Sequence, residues 1–307
     1  MDPFDELLRG VRADGAGLRR TELSPPWTLR PTGEDGGAGE TSLTLYAPLR
    51  GEAWLTREDG GGEPLRVGAG DVVIVRGPGP FVLADRPSPG AGTGGAEGAV
   101  LLTATYPVRG TVARRLHGLL PPFVLEPGDE GCASLLDVLD AQAGVCPPGQ
   151  QVVRDRLLDW LLVCVLRGWF DRPGTAPSGW FHALGDETVG PVLRAMHAAP
   201  DRPWTLASLA AEANVSRTTL AQRFTRLVGE PPLTYLTDWR MTLAADLLTG
   251  TAETVAAVAR RAGYADAFGF SAAFKRFHGV SPSGYRDNCG PDADCSAAVG
   301  SCGGAPV

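Results

Sequence analysis

Two stretches of the chain combine cationic, amide and small apolar side chains and lack carboxylates. From Ser216 to Val228, and again from Ala267 to Arg286, the sequence contains Arg or Lys but neither Asp nor Glu. Cationic side chains contact DNA phosphates, whereas an amide can pair bidentately with adenine and an apolar group can meet a thymine methyl. These residue types therefore predict two surfaces that bind duplex DNA.

Helical spacing selects the side chains that each surface would present. In the first stretch the predicted DNA contacts are Arg217, Thr218, Ala221, Gln222, Thr225 and Arg226, and in the second Ala267, Phe268, Ser271, Ala272, Lys275 and Arg276. Gln222 is the candidate adenine contact, with a solvated polar residue as its alternative, and Ala221 or Phe268 is the candidate thymine contact. Arg223 is expected at a phosphate. The second surface is small and apolar, which predicts weaker base specificity.

An internal repeat must position these surfaces. Shifted by fifty residues, the chain matches itself at apolar, glycine, proline and tyrosine positions: Leu220 with Phe270, Phe224 with Phe274, Leu227 with Phe277, Gly229 with Gly279, Pro232 with Pro282 and Tyr235 with Tyr285. A repeat of this length indicates one supersecondary unit used twice.

Each copy predicts a helix–turn–helix unit. Asn214 and Gly263 stand where the chain must turn with positive φ. Ser216 and Asp266 then follow as helix N-caps. The second helix of each copy is predicted to bury its three matched apolar residues, including Phe277, and to end at a glycine followed by proline.

The chain from about residue 187 to 286 resembles the C-terminal domain of the AraC/XylS family of bacterial transcription regulators. The resemblance is carried by WTLASLAAEANVSRTTLAQRF, GEPPLTYLTDWRM and VAAVARRAGYADAFGFSAAFKRFHGVSPSGYR. It implies two helix–turn–helix units that enter successive major grooves of promoter DNA, and RNA polymerase as a further partner. A linker helix, roughly Leu233–Leu248, would span about 25 Å at ~1.5 Å per residue. The alternative is an ordinary helical bundle.

Short β-prone runs separated by Gly, Pro and Asp occupy residues 42–106 and predict a sandwich or small barrel. Around EPLRVGAGDVVIVRGPGPFVL, residues 3–125 resemble the cupin-type sensor domain of the same family. Residues 2–20 are expected to form a short amphipathic helix, with Phe4, Leu7, Leu8 and Val11 on its apolar face, that ends in a Gly-rich turn. The predicted fold class is thus α+β, with a cupin-like N-terminal β-barrel and an all-α C-terminal domain containing two helix–turn–helix motifs. Tyr46, Trp54 and Phe81 are candidate residues for binding a small-molecule effector, although strand aromatics are more often core.

A metal-dependent cupin enzyme needs about three His and one carboxylate around one ion. The four histidines, His117, His182, His197 and His278, all lie outside the predicted strands. We therefore expect neither a metal, nor a cofactor, nor enzymatic activity. The alternatives are a cupin-type metalloenzyme fused to a helical domain and a DNA-binding protein whose barrel only dimerises.

Residues 126–185 are predicted to be helical, with one helix over 150–170 that is apolar on several faces. Such a helix is buried, against either the barrel or a second subunit. In regulators that resemble this chain such helices form the dimer interface, so a homodimer is expected. Residues 186–288 form the predicted DNA-binding domain. Residues 289–307, with Cys289, Cys295 and Cys302, are predicted to be disordered.

Charge divides between the two halves of the chain. The formal net charge is −7, yet residues 187–288 contain 11 Lys and Arg against 9 Asp and Glu, a net charge of +2. The rest contains 17 against 26, a net charge of −9. The predicted DNA-binding domain is thus the basic part. The first residues lack a signal-peptide pattern and the most apolar helix is too short and charged to span a bilayer, so a cytoplasmic location away from membranes, with free thiols, is expected.

Overall fold

The computed structural model describes residues 3–9, 11, 13, 17–30, 41–58, 61–77, 79–87, 98–108, 110–143, 149–172 and 179–288. The predicted cysteine-containing tail, 289–307, lies outside the described residues. The chain divides into two compact units. The barrel unit comprises residues 8–109 and 116–177, and the helical unit comprises residues 1–7, 110–115 and 178–307.

Two antiparallel sheets build the barrel unit. The strands are β1 (Arg19–Leu23), β2 (Thr28–Leu29), β3 (Ser42–Arg50), β4 (Ala53–Arg57), β5 (Leu65–Val67), β6 (Val72–Gly77), β7 (Phe81–Ala84), β8 (Ala99–Pro107) and β9 (Phe123–Glu126). One sheet has the order β1-β8-β3-β6-β9 and the other β2-β7-β4-β5. All six predicted β-prone runs form strands, and the α+β fold class is confirmed.

The central strands of the five-stranded sheet are buried on both faces. Tyr46 on β3 points toward the apolar cluster between the sheets, whereas its neighbours Leu45 and Ala47 are buried outside that cluster. On β8, the hydroxyl of Tyr106 donates to the carbonyl oxygen of Leu158, at 3.0 Å. Leu158 belongs to a helix of the same unit, so the sheet separates the barrel interior from a helical layer.

The predicted short helix within residues 2–20 is present, but it ends before Val11, which lies in an isolated β-bridge with Val108. Helix α1 covers Pro3–Arg9, and Arg19–Leu23 is strand β1 instead. The strand pairs with β8 from Arg19 opposite Thr103 to Leu23 opposite Ala99. The partner that fixes this strand is about eighty residues away, so the local apolar pattern does not indicate it.

The remaining helices include the pair predicted before the linker, both helices of each helix–turn–helix unit and the helix between the units. They are α2 (Gly110–Leu119), α3 (Glu130–Gln142), α4 (Gln150–Asp171), α5 (Gly179–Gly185), α6 (Val189–Ala198), α7 (Leu206–Glu212), α8 (Arg217–Val228), α9 (Pro232–Gly250), α10 (Val255–Arg261), α11 (Ala267–His278) and α12 (Pro282–Asn288). Among the described helices, none combines the length and apolar content needed to cross a membrane.

Candidate nucleic-acid interface

The two predicted turns adopt the same backbone conformation. Asn214 has φ 53° and Gly263 has φ 76°, both in the left-handed region that few residues other than glycine and asparagine tolerate. The following amide closes each turn, from Val215 to the Ala210 carbonyl at 3.0 Å and from Tyr264 to the Ala259 carbonyl at 2.9 Å. Both turns are therefore confirmed, with the same backbone conformation and the same closing hydrogen bond.

The helices after these turns, α8 and α11, hold the second position of each helix–turn–helix unit, and we call them the recognition helices. Each has twelve residues. Ser216 caps α8 by accepting the Thr219 amide at 3.1 Å, and Asp266 caps α11 by accepting the Gly269 amide at 2.7 Å. Both helices end at a left-handed glycine, Gly229 or Gly279, as predicted.

The buried faces of the recognition helices agree at two of the three matched positions. Leu220 and Phe270 are fully buried, as are Phe224 and Phe274. Phe277, however, is 44% exposed, so its predicted burial is wrong.

His278 explains the difference in the last turn of α11. Its side chain is buried, with Nε2 3.2 Å from the Met241 carbonyl oxygen and its ring 4.3 Å from that of Phe274. The helix therefore packs its last turn through His278. Phe277 instead lines a cavity of about 410 Å³ between α9 and α11, with Leu233 and Arg276 among the other lining residues.

The opposite faces carry the predicted DNA contacts on the surface of the helical unit. The exposed members are Arg217, Thr218, Gln222, Thr225, Arg226, Phe268, Ala272, Lys275 and Arg276, and the half-buried members are Ala221, Ala267 and Ser271. Phe268 is 86% exposed, which offers a whole aromatic ring to a partner. The hydroxyl of Ser271 donates to the Ala267 carbonyl at 2.7 Å, so it is available to DNA only as an acceptor.

Arg223 has a different role from the predicted phosphate contact. Its Nε and Nη2 lie 3.0 and 2.7 Å from Oδ2 of Asp186. The guanidinium is thus committed to an ion pair within the helical unit. No local sequence pattern indicates this pair, because 37 positions separate its members.

Helix α9 joins the two recognition helices and contributes to both of their cores. Near its start, Tyr235 packs edge-on against Phe224 of α8, and its hydroxyl lies 2.7 Å from Nε2 of His197. Farther along, Met241 and Leu248 belong to the cluster that contains Phe270 and Phe274. Nineteen residues give α9 a length of about 28 Å at ~1.5 Å per residue. One helix of about this length therefore connects the two helix–turn–helix units.

A second candidate site is the interior of the barrel unit, which we call the barrel interior. Its buried residues are Trp27, Tyr46, Ala53, Leu55, Val67, Val73, Val75, Phe81, Leu83, Ala99 and Leu101. Tyr46 and Phe81 lie there, as the effector prediction requires. Trp54 does not belong to this cluster, because Ala53 and Leu55 on either side point inward and alternation along β4 places Trp54 on the other face.

Trp27, which the sequence analysis did not single out, contributes a polar group to the barrel interior. It is 7% exposed, and its indole Nε1 has no hydrogen-bond partner among the residues that the structure describes. Burial raises the pKa of Tyr46 to about 12, so this phenol is neutral at ordinary pH. Every residue of the cluster is uncharged.

The histidines lie on helices and three of them have structural partners. His117 Nε2 is 3.1 Å from the Gly77 carbonyl, and His197 and His278 make the contacts given above. Burial lowers the pKa of His117 and of His278. Within the described ranges, no three His, Cys, Asp or Glu side chains are grouped as a metal site. Cys132 and Cys164 are free thiols.

Comparisons with known proteins bear on both halves of the chain. Residues 2–171 match a family model described as Cupin, and residues 209–288 match one described as Helix-turn-helix domain. A protein of Streptomyces antibioticus described as an AraC-like transcription regulator is 33% identical over 312 residues, which cover 93% of this chain and 98% of that protein. One of Streptomyces lividans with the same description is 34% identical, with the same coverage. The HTH-type transcriptional regulator AlkR of Acinetobacter baylyi is 35% identical over 45% of each chain.

Proposed function

Because this chain belongs to the AraC-like transcription regulators, we propose that it controls transcription by inserting α8 and α11 into successive major grooves of promoter DNA. The observation that carries this proposal is the matched frame of the two recognition helices. Each has a positive-φ turn, a side-chain N-cap, a glycine stop and an outward face that lacks carboxylates.

The two recognition helices are proposed to contribute differently to base specificity and to non-specific DNA binding. The face of α8 offers the Gln222 amide, which can pair with adenine, beside the cations of Arg217 and Arg226. The face of α11 offers Phe268 and Ala272 for apolar contact, beside Lys275 and Arg276. We therefore assign most of the base specificity to α8 and more of the non-specific binding to α11.

The barrel interior is the proposed sensor. We assign it an uncharged small-molecule effector, since its buried residues are uncharged and Trp27 offers an indole N–H. A buried carboxylate or amine on the effector would have to lose its water without a charged partner, which costs several kcal/mol. Binding in this interior would shift the population of DNA-competent molecules. We propose no enzymatic activity for the barrel, because the histidine of the barrel unit, His117, lies on α2 with its Nε2 against the Gly77 carbonyl.

A homodimer is proposed through the outer face of α3 and α4. The apolar residues Leu158, Leu161 and Leu166 of α4 are buried within this chain, so they serve intramolecular packing. Val153 and Trp160, seven positions apart and hence on one face of α4, are 48% and 59% exposed, and Val138 on α3 is 44% exposed. This apolar surface on two helices of the barrel unit fits a second copy of the chain.

The test is a footprint of the purified full-length protein on the DNA that flanks its own gene, at defined salt. The proposed site of action is the bacterial cytoplasm, where promoter DNA and RNA polymerase meet. Each chain is expected to protect two major-groove segments about 34 Å apart, one for each recognition helix. A dimer is therefore expected to protect two such pairs of segments. Transcription from that promoter with added RNA polymerase should change in parallel. Protection of only one segment per subunit would contradict the double insertion, and loss of all protection at moderate salt would contradict the proposal.

A further inference from the structure

Six residues from the middle of the chain, Gly110–Arg115, belong to the helical unit. They form the first part of α2, and more than a hundred positions separate them from the residues that they contact. We call this segment the strap. Its contacts fall at three places, which involve both helix–turn–helix units.

The first contact is a helix cap supplied by α9. The Asp246 carboxylate accepts the amide of Val112 at 3.0 Å and also accepts the amide of Thr111. These amides belong to the first turn of α2, where the helix itself offers no acceptor. A carboxylate is also favoured at the positive end of a helix dipole.

The geometry of Gly110 adapts the strap to this carboxylate. Gly110 has φ 81°, and a Cβ on it would lie 3.1 Å from Oδ1 of Asp246. Any other residue would be strained by its backbone conformation and crowded by the carboxylate. The close approach of the strap to α9 therefore depends on glycine at this position.

The second contact reaches the core of the unit that contains α11. Arg114 Nη2 and Thr111 Oγ1 each lie 3.4 Å from the hydroxyl oxygen of Tyr285. Tyr285 is 3% exposed and packs edge-on against Phe274 of α11. The strap thus touches a side chain that directly supports the second recognition helix.

The third contact reaches the core of the unit that contains α8. The guanidinium carbon of Arg115 lies 5.0 Å from the centre of the Tyr235 ring and 6.0 Å from that of Trp239. Its Nη2 lies 3.9 Å from Oε1 of Glu230, in the segment between α8 and α9. A guanidinium over an aromatic face is attracted by the ring quadrupole. Arg115 therefore holds the strap to the opposite half of α9 from Asp246.

We propose that the strap is a regulatory clasp that fixes the two recognition helices in the relative position that DNA requires. It joins the first core through Arg115 and the second through Thr111 and Arg114. With the strap in place the pair of helices is preorganised, so binding does not have to immobilise the second helix. Release of the strap lets the second unit move against the first and lowers occupancy of the groove that α11 enters.

The strap also gives the barrel unit a covalent connection to this position. The chain continues from Arg115 along α2 into residues 116–119, which belong to the barrel unit. A conformational change in the barrel unit that favours the engaged strap would strengthen DNA binding, and one that favours the released strap would weaken it. This inference rests on the proposed function and adds a route of regulation to it. Arg115 and Asp246 are positioning residues in it.

The experiment compares footprints of the full-length chain and of Arg115→Gln and Asp246→Asn at one salt concentration. Gln222→Ala and Lys275→Ala first assign each protected segment to α8 or α11. The strap variants should need at least fivefold more protein to protect the α11 segment than the α8 segment, whereas the unsubstituted chain protects both together. Arg115→Lys, which keeps the charge, should recover part of the difference.

Two substitutions with matched charge changes serve as controls. Asp201→Asn and Arg194→Gln alter exposed residues of the helical unit away from the strap and should leave the two segments equally protected. Equal weakening of both segments by the strap variants would show a general structural role and overturn the clasp, as would unchanged or tighter binding. Absence of any protection by the unsubstituted chain would overturn the proposed function, and the clasp with it.

Discussion

Asp186 and Arg223 form an ion pair with two short contacts, 3.0 Å from Nε and 2.7 Å from Nη2, that ties the start of α6 to the middle of α8. The same carboxylate accepts the amides of Thr188 and Val189, both at 2.9 Å. One half-buried acid therefore caps one helix and anchors the first recognition helix.

Asp186→Asn should destabilise the helical unit in a manner that depends on pH. Burial raises the pKa of Asp186, but the Arg223 guanidinium and the two amides outweigh it and hold the pKa below its ordinary value. The stabilisation is thus present above the unfolded pKa, about 3.9, and is lost as pH falls through the lower folded value. We expect a loss of about 1 kcal/mol at pH 7, typical of a lost cap. Thermal unfolding of both proteins at pH 7 and near pH 3 measures this, and an equal loss at both would contradict it.

Gln222→Ala should relax the preference for one base pair of the α8 segment by about 1–3 kcal/mol. Removal of the amide takes away the bidentate contact and leaves phosphate contacts intact. Binding to a set of operators with single base changes gives the measurement. Arg226→Ala is the matched control, because loss of an exposed cation should weaken all sequences alike and reduce the salt slope by about one. A uniform loss with Gln222→Ala would instead show that this residue is merely solvated.

Phe268→Ala should weaken DNA binding without lowering thermal stability, because this ring is 86% exposed. Phe274→Ala, on the same helix, removes a fully buried ring and should cost about 3–5 kcal/mol of stability. Operator titrations and thermal unfolding of the two variants separate surface from core. Unchanged DNA affinity of Phe268→Ala would remove this residue from the interface.

Trp27→Phe should abolish or reduce the response to an effector. The substitution keeps an aromatic ring in the barrel interior and deletes the unpartnered indole N–H. A panel of uncharged small molecules with hydrogen-bond acceptors should raise the melting temperature of the unsubstituted protein; a ligand at 100 times its Kd adds about 2.7 kcal/mol. Equal stabilisation of both proteins would exclude the indole from binding, and no stabilisation across the panel would favour a barrel that only dimerises.

Trp160→Ser should convert the proposed dimer into monomers. Trp160 is 59% exposed on α4, so the substitution removes apolar contact area without opening the core. Sedimentation at several concentrations measures the mass, and circular dichroism verifies that the variant is folded. A dimer that persists unchanged would place the interface elsewhere.

The sequence predicted the helix–turn–helix frames fully because their determinants are local. Asn214 and Gly263 indicate a turn with positive φ, and Ser216 and Asp266 indicate a helix N-cap. The repeat gives two independent copies of the same pattern, so each supports the interpretation of the other. These features act within four or five residues of their own position.

The errors share the opposite property. Arg223 pairs with Asp186 across 37 positions, and Arg19–Leu23 is a strand because β8 lies beside it. In the last turn of α11 the buried side chain is that of His278 rather than Phe277, because His278 contacts the Met241 carbonyl of α9. Trp54 shows the ambiguity of a period of two, since composition alone does not say which face of a strand points inward. Tertiary partners decided each case.

In the two recognition helices, the residues that determine the structure differ from the surface residues that would contact DNA, and this bears on how the regulator evolves. Caps, glycine stops and buried rings shape α8 and α11, whereas Gln222 and Phe268 lie outside that framework. A mutation in one half of an operator can therefore be answered by a surface substitution in one helix, with the other helix still bound. Duplication of the unit gives the lineage a stepwise path by which a promoter and its regulator change together.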